Sequence, residues 1–173
     1  MSEIGESVIE AAWDEVTNLS ETRVRVEMER LTREQPDLIT FILSAADGIG
    51  ERVGEFAGFV TFVVWKIFRS QTRGTLKRIT SDAIQRKLEE NEQALMSLDD
   101  SGEDDDAAIR KITPQPMVFA AVLAAMAAAE EEEEQPLVLN EDDKGELILL
   151  LKTAIDTLDD ARKAAESKAR LSS

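Results

Sequence analysis

Lys66, Arg69, Arg73 and Lys77 recur at three- and four-residue intervals, the spacing that places side chains on one face of a helix. A helix continuing through Gly74 would display them as a single cationic stripe, chemistry suited to a carboxylate or phosphate partner. They open the segment Lys66 to Lys87, which holds seven bases and one acid in a chain whose formal charge is -16. This stripe is the candidate partner-binding site. Phosphate contact would make it a nucleic-acid face, but the segment has a single aromatic, Phe68, rather than a set of stacking residues, and no recognisable groove-reading motif. The plainest alternative is a solvated helix end, because cations suit the carboxyl-terminal pole of the apolar helix before them. Between the two stands docking onto an acidic protein, either the chain's own acidic loop or another subunit.

Other chemistries are narrowed by what the 173 residues omit: they include no His, no Cys and no Tyr. The side chain that titrates near neutrality and the thiolate nucleophile are therefore both lacking. Carboxylate pairs alone can support hydrolysis or bind metals, yet the acids here fall in runs or on polar helix faces with no pairing to single out. No catalytic, cofactor-binding or metal-ligating residue is assigned, and no cofactor is expected.

Two local patterns fail on context. Gly50, Gly54 and Gly58, preceded by Gly48, lack the strand and the βαβ surroundings of a dinucleotide-binding turn, so their four-residue spacing reads as a stripe for close helix packing. Asn140 to Gly145 has oxygen side chains at the first and third positions and Gly at the sixth, as in a calcium loop. Lys144 at the fifth position and Leu151 at the twelfth break that pattern. Acids at a helix start, facing the positive pole, explain it better.

The elements that must hold the stripe are helical. A first helix is expected from Glu3 to Asn18, a second capped by Ser20 and ending near Gln35, and a third opened by Pro36. The Asp47 to Gly50 turn leads into a strongly apolar helix from Glu51 to Arg69, expected to be the buried centre. A fifth helix is read from Thr75 to Leu98. Asp99 to Asp106, with six acids, reads as a solvated loop. An Ala-rich helix follows Pro114 and Pro116 and runs to about Glu134. The last begins near Glu141, its Leu147, Leu151, Ala154, Leu158, Ala161 and Ala165 in heptad spacing. It should lie deep in the core or join an oligomer interface.

Gln35-Pro36 and Gln115-Pro116 each open an apolar helix, and Gly54-Glu55 and Gly145-Glu146 follow in turn. Two related helical hairpins would give this echo, and so would chance likeness between proline-opened helices.

The fold class read from the sequence is all-α: an irregular bundle of about six helices around a central apolar helix, with residues 1-173 as one domain. Trp13, Phe41, Phe56, Phe59, Phe62, Trp65, Leu147 and Leu151 are the expected core. No signal peptide and no stretch long enough to span a bilayer is evident, so a cytoplasmic protein without a membrane role is expected. The function expected is a non-catalytic interaction or scaffold protein acting through helix faces, with a protein partner or a homodimer. The alternatives are a regulator of nucleic-acid-binding partners, through mimicry by its acidic surface or through direct weak nucleic-acid binding by Lys66 to Lys87, and a carboxylate-dependent enzyme.

Overall fold

A computed structural model describes residues 3-101 and 105-171. Among them are eight helices and no strand: α1 Glu6–Thr17, α2 Glu21–Glu34, α3 Pro36–Ile49, α4 Glu51–Ser70, α5 Ser81–Ser101, α6 Asp105–Ile112, α7 Pro116–Glu130 and α8 Glu141–Leu171. The all-α fold follows from the sequence periodicity, which places seven of these helices; α6 is the one it does not resolve.

Local chemistry sets the helix starts. Ser20 Oγ accepts the Arg23 N–H at 3.1 Å, satisfying one amide that the first turn of α2 leaves without a helical partner. Asn140 Oδ1 accepts the Asp143 N–H at 2.8 Å, so the residue that opens the calcium-like pattern serves as a cap of α8. Pro36 and Pro116 each stand in the first turn of their helix, where a missing N–H costs nothing.

α4 is the buried centre. Its consecutive residues Val60 to Trp65 are all buried, which a helix achieves only when neighbours surround it. Trp65, Phe62 and Phe68 are among the largest fully enclosed side chains. Phe59 departs from the expected core and is 43% exposed, because it shares a face of α4 with the exposed Arg52 and Glu55. Trp13, Phe41 and Phe56 lie at the core margin, partly buried against it.

The glycines let α3 and α4 approach closely. A methyl group added to Gly54 would fall inside the Asp47 carboxylate, and one on Gly58 would press Leu43 Cδ2 at 3.0 Å. α8 is the second buried helix, every residue from Leu150 to Asp159 being enclosed.

The Gln-Pro echo has a structural counterpart. Gln35 and Gln115 are both buried, with closely similar backbone angles, and each side-chain carbonyl accepts an amide from an extended residue just before another helix. Gln35 Oε1 takes Ile79 N–H at 2.8 Å, ahead of α5, and Gln115 Oε1 takes Ile4 N–H at 2.9 Å, ahead of α1. The likeness stops at the glycines, since Gly54 is buried and Gly145 exposed with open space around it.

Three segments depart from the sequence reading. α4 stops at Ser70 and α5 starts at Ser81, leaving 71-80 non-helical where the fifth helix was expected to begin. α3 continues through Asp47 and Gly48, and the chain breaks only at Gly50. Of the expected acidic loop 99-106, residues 99-101 end α5 and residues 105-106 start α6, while 102-104 lie outside the described residues.

Both central helices run the same way along the bundle. Arg52, near the start of α4, donates to Gln135 Oε1 and to the Gln135 carbonyl, both at 2.7 Å, and Lys144, near the start of α8, pairs with Glu130 at 3.2 Å. The turn after α7 therefore marks one end. The last turns of α8 and the segment just past α4 share a cleft at the other.

Candidate functional site

The stripe expected on one helix is divided by the end of α4. Ser70 Oγ donates to the Ile67 carbonyl at 2.8 Å and Thr72 Oγ1 to the Phe68 carbonyl, satisfying acceptors that the last turn exposes. Gly74 then adopts φ of 90°, a left-handed conformation that side chains with a Cβ resist, and the helix cannot continue through it. Lys66 and Arg69 stay on α4. Arg73 and Lys77 fall on the connecting segment.

That segment is held at its far end. Leu76 and Ile79 are buried, and Gln35 clamps the backbone between its Nε2, which donates to the Lys77 carbonyl at 3.0 Å, and its Oε1, which takes the Ile79 amide. Lys77 is thus fixed at the main chain while its side chain is exposed.

The four cations have different tasks. Lys66 Nζ lies 2.7 Å from Glu27 and 3.2 Å from Glu15, and 5.8 Å from the centre of the Phe62 ring. Arg69 lies 3.8 Å from Glu34 and 5.4 Å from the centre of the Trp65 ring. These two tie α4 to α1 and α2. Arg73 and Lys77 are exposed, and among the described residues neither side chain has a hydrogen bond or ion pair.

Both free cations border a cleft of about 290 Å³, together with Gly74, Thr75, Ala165, Lys168 and Ala169. Lys77 also lines a second cleft of about 250 Å³, which continues past Thr80 and Ala83 along Thr157, Ala161 and Ala164 of α8. The two share Lys77, so a floor of α8 alanines runs beneath a basic rim. Arg78 and Asp160 at the second cleft are engaged, with Asp37 at 2.8 Å and Lys87 at 3.0 Å. The Arg78 hydrogen bond holds the Asp37 carboxyl below its ordinary pKa. Lys87 titrates above its usual range: burial opposes its charge, and hydrogen bonds to Asp160 and Glu90 outweigh that. A third cleft, of about 380 Å³, is bordered by Lys66, Arg69, Ser70, Gly74 and Glu15. Its two cations already face carboxylates, which leaves it little attraction for another anion.

A polar cluster inside the bundle escaped sequence reading. Lys152, 1% exposed, donates to Asn91 Oδ1 at 2.6 Å and to Asp156 Oδ2 at 2.5 Å. Asp156 also accepts from Thr113 at 3.1 Å. One turn on, the fully buried Asp159 accepts from Gln115 at 2.9 Å and from Arg162 at 3.1 Å, and pairs with Lys163 at 2.9 Å. None of the clefts described above is lined by Lys152, Asp156 or Asn91. The cluster joins α8 to α5 and to the connection before α7. Its only signal in sequence is Lys152 and Asp156, four apart, interrupting a run that is apolar on every face.

Among the described residues, no group of three or more acids gathers in metal-binding geometry, and no helix is long and apolar enough to cross a membrane.

No family model, curated protein or solved structure matches the chain. Its function is read from its own surface.

Proposed function

We propose that this protein is a non-catalytic interaction protein whose contact surface is the alanine-floored groove at the basic end of the bundle. The observation that carries the reading is the division of the four cations. Lys66 and Arg69 are used internally, whereas Arg73 and Lys77 stand exposed and uncompensated over an apolar floor. In a protein of charge -16, such a site favours an acidic segment carrying small apolar side chains. Nucleic acid gains less support, since two free cations supply few phosphate contacts and the remaining surface repels a polyanion.

Affinity capture from the native cells with the wild type and with R73E/K77E tests the reading. Proteins retained by the wild type and lost by the variant are expected. An identical captured set from both would overturn it.

A further inference from the structure

We infer that the acidic segment seated in this groove belongs to a second copy of the chain and is the turn after α7. The inference rests on the groove being the contact surface.

Glu131, Glu132, Glu133 and Glu134 follow one another on that turn and are all exposed. Val138, four residues on, is 82% exposed, so the acidic run is followed by a bare apolar side chain. The groove presents the counterpart: Arg73, Lys77 and Lys168 at the rim, Ala165 and Ala169 beneath. Charge faces charge, and an apolar side chain meets an apolar floor.

The two features cannot meet within one molecule. The acidic turn is tied to the starts of α4 and α8 through Arg52 and Lys144, while the groove lies where those helices finish. The 20 residues of α4 alone hold the ends about 30 Å apart. Each copy therefore offers one acidic end and one basic end. Two copies satisfy both as an antiparallel pair, or successive copies join head to tail.

Net repulsion does not forbid this. At physiological salt the Debye length is about 8 Å, so charges elsewhere on two copies are largely screened while contacting pairs are not. Assembly should weaken as salt rises.

Sedimentation of the full chain over a range of concentrations tests the inference. The wild type should gain mass with concentration at low salt and lose it at high salt. R73E/K77E and E132K/E133K should each assemble at least about tenfold more weakly, because like charges then face each other. Combining all four changes in one chain reverses both ends and should restore assembly. Every substituted side chain is exposed, so circular dichroism should show all three variants folded. A wild type that stays monomeric at low salt would overturn self-docking, while the capture comparison would still judge the groove. Variants that assemble like the wild type, or a four-fold variant that remains monomeric, would overturn the pairing of these two ends.

Discussion

Gln35 and Gln115 perform the same task 80 residues apart in the sequence: each, ahead of a proline-opened helix, takes the amide of an isoleucine that precedes another helix. Gln35 thereby pins Ile79, and Gln115 pins Ile4. The first clamp shapes the groove, because it fixes the backbone on which Lys77 is displayed.

Replacing Gln35 with Leu should strand the buried Ile79 amide and cost about 1–3 kcal/mol. Hydrogen exchange at Ile79 should accelerate while that at Ile4 does not. Q115L should show the converse. Equal acceleration at both amides in either variant would mean that the clamps do not act separately.

Lys152 and Asp156 form a buried pair, and breaking one member should be costly. Burial raises the Asp156 carboxyl above its ordinary 3.8, with Lys152 opposing the shift. A raised acid binds its proton more readily folded than unfolded. Its contribution to stability is therefore complete below pH 3.8 and declines as pH climbs through the folded value. Without Lys152 that value rises further. K152M should lose about 3–5 kcal/mol near neutral pH, and the loss should shrink on acidification as Asp156 takes up its proton. Denaturant titrations at both pH values check this; a loss indifferent to pH would contradict it.

Gly54 and Gly145 should respond differently to Ala. Gly145 is exposed, with nothing within 4 Å of an added Cβ, so G145A should stabilise α8 by about 0.5–1 kcal/mol. G54A should forfeit that gain, because the Asp47 carboxylate must swing aside. D47A should recover it, a coupling read from a double-mutant cycle. Simple additivity would show that the contact does not constrain α3 against α4.

Lys66 and the free pair should separate structure from binding. K66M leaves Glu27, a buried carboxylate, with Arg23 as its remaining cation at 3.3 Å, and should lower stability by about 1–3 kcal/mol. R73E/K77E should stay within about 0.5 kcal/mol of the wild type, as surface changes do. Thermal melts of the three proteins provide the check.

Much of the scaffold was legible because local rules and global packing agree. Ser20, Pro36 and Pro116 start helices where their chemistry directs, and the apolar run of α4 is buried as its composition requires. The groove was only half legible. Three- and four-residue spacing joined Lys66 to Lys77 on paper, but φ at Gly74 divides them, and the buried Leu76 and Ile79 fit an extended segment as well as a helix. Lys152 was illegible for another reason. A buried cation depends on Asn91, 61 residues away, and periodicity along one helix does not reveal partners on another.

The central claim, that the groove holds the acidic turn of a second copy, is tested most directly by following the protein's NMR signals as a peptide with the sequence of residues 130-140 is added at low salt. Shifts should concentrate at the backbone of 73-80 and at the methyl groups of Ala161, Ala164, Ala165 and Ala169, and should vanish in R73E/K77E. Shifts absent, centred elsewhere, or unchanged in that variant would contradict the claim.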